Sequence, residues 1–261
     1  MRERLYRVQA IILKRTDAGE ADRLLTVLTP DLGKLRVNAK GARKPASRKS
    51  GYVELFSHVE FLLARGHQVD VVTQVDTRDA FSPLRENLER MGYAYYFAEL
   101  MDRFAEEGTE NHALFELLRT ALGWLGETDA PILLARFFEL RLLHHVGYRP
   151  QLFECVNCAK PVEPIENYFS VEAGGVLDPE CTLNRREQIA GHARDAEPIS
   201  LTALKILRYL QTREWETVRG LKLRANELAE VETILLRYIT HHLERQLKSV
   251  EFLWELKSLR S

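Results

Sequence analysis

The spacing of apolar residues changes once along this chain, near Pro83, and this change limits the folds that the chain can adopt. Before Pro83, five short segments rich in Val, Ile, Leu, Tyr and Thr show partial alternation of apolar and polar residues, and turn sequences separate them. The predicted strands are 6–14, 24–28, 34–39, 53–63 and 68–75. Five short strands within residues 1–80 favour a closed barrel of the OB-fold type, although their number alone also allows an SH3-like barrel.

After Pro83 the apolar residues recur at spacings of three and four, which predicts helices. The first helix begins after Pro83, and others are predicted at about 111–125, 131–146, 200–211 and 226–249. Helix 131–146 is apolar on nearly every side, so we expect it in the middle of a bundle. The predicted fold class is therefore α+β and multidomain, with an N-terminal five-stranded OB-fold barrel followed by a helical bundle.

The helical pattern is interrupted at 149–198, a segment with little apolar periodicity that contains all three cysteines. Because it has too few apolar residues for a core of its own, we interpret it as a zinc-finger-like insert in the helical domain. The predicted organisation is a nucleic-acid-binding OB-fold domain at 1–80 and the first part of the helical domain at 81–148. The insert at 149–198 and the second part of the helical domain at 199–261 follow.

The cysteine spacing in the insert predicts a metal site. Cys155 and Cys158 are separated by two residues, a spacing that lets both thiolates face one ion, and Cys181 follows after 22 further residues. Asp178 stands three positions before Cys181, where a second Cys-x2-Cys pair would have its first cysteine. A carboxylate oxygen is an acceptable zinc ligand. We therefore predict structural zinc bound by Cys155, Cys158, Asp178 and Cys181.

Other interpretations of the cysteines remain open at this point. One alternative has Glu180 or His192 as the fourth ligand, and another is loss of the metal, which leaves relic cysteines or buried thiols. A catalytic zinc would need an open coordination position and a nearby general base, and the sequence identifies neither.

The near-zero net charge of −1 is an average over two oppositely charged parts. Residues 1–80 carry 15 Lys+Arg and 10 Asp+Glu, a balance of +5, whereas the rest carry 22 and 28, a balance of −6. Within 34–49 there are seven basic residues and no acidic ones: Lys34, Arg36, Lys40, Arg43, Lys44, Arg48 and Lys49.

This basic run predicts a nucleic-acid-binding surface, because much of the affinity for a polyanion comes from release of its condensed counterions. If all seven residues contacted single-stranded phosphates, the slope of log K against log salt would approach roughly −5. Gly41, Pro45 and Gly51 indicate a loop between two strands, and a barrel with a basic loop suits single-strand binding. The alternative is a solvated loop that only keeps the protein soluble.

Several functional classes find no support in the sequence. It contains no G-x4-G-K-[ST], no G-x-G-x-x-G, no H-E-x-x-H and no G-x-S-x-G, which argues against an enzyme of those classes. No apolar stretch approaches the length of a membrane span, and the first twenty residues lack the long apolar region of a signal peptide. We therefore expect a cytoplasmic protein that is not an enzyme and has no membrane partner.

Several motifs follow one another along essentially the whole chain. They are DAGEADR at 17–23, LTVLTPDLG at 25–33, KGARK at 40–44 with Ser47, GYRP at 147–150, Cys155-x2-Cys158, and GGVL at 174–177. In this order the set resembles the RecO family of bacterial DNA repair proteins.

The resemblance implies an N-terminal OB-fold, a helical C-terminal domain and a zinc-binding insert. It implies a mediator of the RecF pathway that binds single- and double-stranded DNA, anneals complementary strands and helps RecA to load. The implied protein partners are RecR and single-strand-binding protein, with RecA an indirect one. The resemblance assigns DNA binding to Lys40, Arg43 and Lys44. Asp178 departs from the family pattern, in which two Cys-x2-Cys pairs form the complete zinc motif.

Two other classes of function are compatible with the sequence. A zinc-dependent nuclease would require an open metal site, and a transcription regulator would require preference for one duplex sequence. Cleavage assays and competition with random DNA would separate these alternatives from a mediator.

Overall fold

The structure, a computed structural model, describes residues 4–44, 53–182 and 195–258. The chain forms two compact units, the first made of Met1–Pro131 with Leu247–Ser261 and the second of Ile132–Gln246. The finer division into segments that end at 80, 148 and 198 remains a prediction.

The first unit contains a five-stranded closed barrel. Its strands are β1 (Leu5–Ala18), β2 (Asp22–Thr29), β3 (Gly33–Ala39), β4 (His58–Ala64) and β5 (Asp70–Asp79). They are ordered β1-β2-β3-β5-β4, and all neighbours are antiparallel except β3 and β5, which pair in parallel. This arrangement confirms the predicted OB-type barrel.

Alternation along each strand gives the barrel its core. In β4, Val59, Phe61 and Leu63 are fully buried, while the residues between them are partly exposed. Full burial of such a side chain contributes about 1.5–3 kcal/mol. The same alternation was visible in the sequence, because side chains on a strand point to opposite faces in turn.

The helices among the described residues are α1 (Leu88–Phe104), α2 (His112–Glu127), α3 (Pro131–His145), α4 (Leu201–Thr212), α5 (Trp215–Val218), α6 (Ala225–Leu243) and α7 (Lys248–Ser258). None of these described helices combines the length and apolar character that crossing a membrane requires. In the first unit α1 packs against α7 at Gly92, where an added Cβ would lie 2.9 Å from Leu253 Cδ2. A side chain at position 92 would therefore require the Leu253 side chain to shift.

The second unit combines α3 to α6 with a small antiparallel sheet. The sheet consists of β6 (Asn167–Ser170), β7 (Gly175–Leu177) and β8 (Glu197–Ile199), which lie in the order β7-β6-β8. Helix α3 is buried on most sides, as its apolar run predicted. Its two buried charges compensate each other, because Arg136 Nη2 donates to Glu139 Oε1 at 2.5 Å.

Several predicted elements have different limits in the structure: β1 and β5 extend beyond their predicted ends, to Ala18 and Asp79, and two other elements are shorter than predicted. The strand predicted at 53–63 begins only at His58, because Phe56 has a left-handed backbone (φ 67°) and its N–H donates to Ile12 O at 2.8 Å. The helix predicted at 226–249 ends at Leu243, because Glu244 adopts a left-handed conformation (φ 52°). Neither position is a glycine or lies next to a proline, so no turn signal was present at either one.

Candidate metal centre and nucleic-acid interface

The first half of the cysteine cluster is a tight turn at 155–160. The N–H of Cys155 donates to Lys160 O at 2.8 Å, and the N–H of Ala159 donates to Cys155 O at 2.9 Å. Ala159 closes the turn in the left-handed region, with φ 59°. This local geometry brings Cys155 and Cys158 to one side of the turn.

The second half follows the hairpin of β6 and β7, whose glycines allow the chain to approach the first half closely. An added Cβ at Gly175 would lie 2.3 Å from Gln151 O, so only glycine fits there. The N–H of Gln151 donates to Gly174 O at 3.0 Å, and the N–H of Val176 donates to Gln151 O at 2.9 Å. Asp178 comes directly after β7, and Cys181 lies on the helical turn at 179–182.

Together the two halves form one cluster of Cys155, Cys158, Asp178 and Cys181. One ligand atom from each residue can be chosen so that all four lie within 4.8 Å of one another. Asp178 uses its two oxygens differently: Oδ1 accepts the N–H of Cys181 at 2.7 Å, and Oδ2 accepts from Cys158 Sγ at 3.0 Å. Cys155 is buried, Cys181 is partly buried and Cys158 is exposed.

Burial and the hydrogen bonds within the cluster determine how its groups titrate. Burial is the largest factor that raises the pKa of Cys181 to about 12. The hydrogen bond to Asp178 is the largest factor that raises the pKa of Cys158. For Asp178, burial favours protonation, but the N–H of Cys181 and the three thiols outweigh it and lower its pKa to about 2. A divalent cation would favour the thiolate forms, because coordination deprotonates thiols.

The donor set fits a tetrahedral divalent ion. Zinc–sulfur bonds of about 2.3 Å place tetrahedral sulfurs roughly 3.8 Å apart, within the spread of these four atoms. The cluster can therefore bind a metal ion. Glu180 does not belong to this group. His192 lies outside the described residues.

Asn157 is a polar neighbour of the cluster that the cysteine spacing did not indicate. Its side-chain Nδ2 donates to Cys181 Sγ at 3.1 Å. Asn is common in turns, so its position between two cysteines carries no signal of a contact with the third.

The predicted basic residues have different surroundings on the barrel, and Arg48 and Lys49 lie outside the described residues. The Lys34 ammonium donates to the backbone carbonyl of Asp102 on α1 and lies 3.5 Å from Asp102 Oδ1, and only 15% of its side chain is exposed. Arg36 is 62% exposed, with its Nε 3.7 Å from Glu107 Oε1. Lys34 thus joins β3 to α1, whereas Arg36 faces the solvent.

The turn after β3 is fixed by the β1–β2 turn beside it. The N–H of Gly41 donates to Asp22 Oδ1 at 2.8 Å, and the N–H of Arg43 donates to Ala21 O at 2.9 Å. The Arg43 guanidinium donates to Gly19 O at 3.2 Å. Lys40 and Lys44 are exposed on this fixed turn.

Two family models match consecutive parts of the chain, the barrel region and the region that follows it. Residues 1–81 match the family described as Recombination protein O N terminal, and residues 85–251 match Recombination protein O C terminal. This chain belongs to the RecO family. The two matches span most of the barrel and helical parts, in the order that the sequence motifs indicated.

Curated RecO proteins are similar over nearly the whole chain. The DNA repair protein RecO of Roseiflexus sp. (strain RS-1) is 46% identical over 259 residues, which cover 99% of this chain and 88% of that protein. A RecO of Dehalococcoides mccartyi is 38% identical over 97% of this chain and 96% of its own. That of Symbiobacterium thermophilum is 36% identical, with 98% and 99% covered.

Proposed function

We propose that this RecO-family chain is a non-catalytic mediator of DNA repair and recombination in the RecF pathway. The observation that carries the proposal is its near full-length similarity to proteins named DNA repair protein RecO. The chain binds single- and double-stranded DNA, anneals complementary strands and helps RecA to load on single strands coated by single-strand-binding protein. It acts in the cytoplasm, at the nucleoid during repair, with RecR and single-strand-binding protein as its protein partners.

The proposed DNA surface is the basic end of the barrel, at β3 and the turn after it. Lys40 and Lys44 are exposed on a turn that hydrogen bonds hold in place, so their ammonium groups can meet phosphates without reordering the backbone. Arg36 and Arg43 lie on the same strand and turn, and each is exposed and paired with one carboxylate, that of Glu107 and that of Asp17. Such contacts would not depend on sequence, because they go to phosphates and not to base edges.

Strand annealing follows from charge neutralisation on this surface. Two complementary strands repel each other through their phosphates, and cations fixed on the protein offset that repulsion. Once the strands meet, base pairing supplies the free energy, so neither nucleotide hydrolysis nor a catalytic group is needed.

For the cysteine cluster we propose structural zinc bound by Cys155, Cys158, Asp178 and Cys181. The support is the clustering of three sulfurs and one carboxylate in a geometry that suits a tetrahedral ion. When bound, the ion would cross-link the two turns of the insert, a segment with few apolar residues to hold it.

Titration of labelled single strands and duplexes at several salt concentrations, with magnesium, manganese or zinc in parallel, tests the proposed function. We expect binding to both forms of DNA that weakens steeply as salt rises, with random DNA competing fully and every strand remaining intact. Metal-dependent cleavage would indicate a nuclease, and strong preference for one duplex sequence would indicate a regulator. Either result would contradict the proposal.

A further inference from the structure

The two turns of the cysteine cluster are linked by one side chain that is not among the four proposed ligands. Asn157 lies in the first turn, between Cys155 and Cys158, and its Nδ2 donates to Cys181 Sγ in the second turn at 3.1 Å. It therefore connects parts of the chain that are 24 residues apart in sequence.

The backbone of Cys181 is already held without Asn157. Its N–H donates to Asp178 Oδ1 at 2.7 Å, which fixes the start of the helical turn at 179–182. That bond leaves the side-chain torsion of Cys181 undetermined. The amide of Asn157 acts on the sulfur itself, together with the side chains of Cys155, Cys158 and Asp178, so it contributes to the direction in which the sulfur points.

The charge of the proposed centre makes such a donor favourable. Three thiolates and one carboxylate around a divalent cation leave a net charge of −2. A hydrogen bond from a neutral amide to a charged sulfur offsets part of this excess without adding a further ligand. Groups that hydrogen-bond to metal ligands commonly orient the ligand and tune its donor strength in this way.

We propose that Asn157 is a positioning residue of the metal centre, which orients Cys181 Sγ toward the ion and weakens its electron donation through the N–H···S hydrogen bond. The inference rests on the proposed metal site. A purely structural role, in which Asn157 only shapes the turn, would change stability but leave the electronic properties of the metal–sulfur bond unchanged.

Cobalt(II) substitution of the full-length protein tests this role, because sulfur-to-cobalt charge-transfer absorption reports donation by the sulfurs. The informative variants are Asn157→Asp, which keeps the shape of the side chain but replaces the donor by an acceptor, and Asn157→Ala. Lys160→Ala is the matched control, since it changes the net charge by the same amount as Asn157→Asp and Lys160 is exposed on the same turn.

We expect the wild type and Lys160→Ala to bind one cobalt per chain with the same spectrum. Both Asn157 variants should bind metal about 10- to 100-fold more weakly in competition with a chelator. Their charge-transfer band should move to lower energy, because a sulfur without the donor is a stronger electron donor. Circular dichroism should show that each variant is folded.

The outcomes separate the two proposals. If the wild type binds cobalt and the Asn157 variants keep its spectrum, the positioning role is wrong, whether or not their affinity falls. A wild type that binds neither cobalt nor zinc would overturn the metal site itself, and the role of Asn157 with it.

Discussion

Lysines on β3 and on the turn that follows it illustrate how one residue type takes different roles on the barrel. Lys34 is largely buried against Asp102 of α1, so its charge is compensated within the unit. Lys40 and Lys44 are exposed. The basic run was visible in the sequence, but which of its charges the fold uses internally depends on α1, more than 60 residues further along.

Substitution of these lysines by Ala should separate the two roles. The double variant Lys40→Ala with Lys44→Ala should bind single-stranded DNA more weakly, with the slope of log K against log salt smaller in magnitude by about 1.4, or 0.7 for each lost phosphate contact. Lys34→Ala should lower the thermal stability and leave the slope unchanged. Fluorescence titration and thermal unfolding measure the two effects. An unchanged slope in the double variant would remove this turn from the DNA surface.

At the scale of elements, the sequence predicted those strands and helix ends that depend on apolar spacing and on capping residues. The barrel strands followed from alternation, and the start of α4 followed from Ser200, whose Oγ accepts the N–H of Ala203 at 3.0 Å. The late start of β4 and the end of α6 were not predictable, because Phe56 and Glu244 adopt left-handed conformations that neither residue type favours. The clustering of the three cysteines with Asp178 was predictable from their spacing, but the contact of Asn157 was not.

The Ser200 cap supplies a test of how α4 is stabilised. Ser200 also binds Glu230 of α6, with its N–H and Oγ donating to the carboxylate at 2.8 and 2.7 Å. Ser200→Ala should lower the free energy of unfolding by about 1–2 kcal/mol, because it removes the cap and one partner of Glu230. Thr212→Ala, at the exposed end of the same helix, should change it by less than about 0.5 kcal/mol. Urea denaturation compares them, and equal effects would contradict the capping argument.

The hairpin that carries Asp178 gives a second test at this scale. Protein purified without added metal should contain one zinc per chain by elemental analysis, and Asp178→Ala should lose zinc to a chelator faster, because one of four ligands is gone. Glu180→Ala is the matched control, as it removes a neighbouring carboxylate outside the cluster. Absence of zinc from the wild type would refute the site, and equal retention in the two variants would exclude Asp178 as a ligand.

At the scale of the whole molecule, the near-neutral chain combines a barrel region of charge +5 with a remainder of charge −6. This division suits a protein whose barrel binds a polyanion and whose other part binds proteins. The net negative charge of the other part repels DNA, so it does not compete with the barrel for the same DNA. Similarity to RecO proteins extends over both parts. Partner surfaces could not be predicted from the sequence, since they depend on which exposed residues from distant segments come together.

The most direct test of the account is annealing of two complementary, fluorescently labelled single strands coated with single-strand-binding protein. Duplex formation is followed by fluorescence, with no nucleotide present that the protein could hydrolyse. We expect the full-length protein to accelerate duplex formation, rising salt to suppress this effect, and the strands to remain intact. Annealing at the rate seen without the protein, or cleavage of the strands, would contradict this expectation.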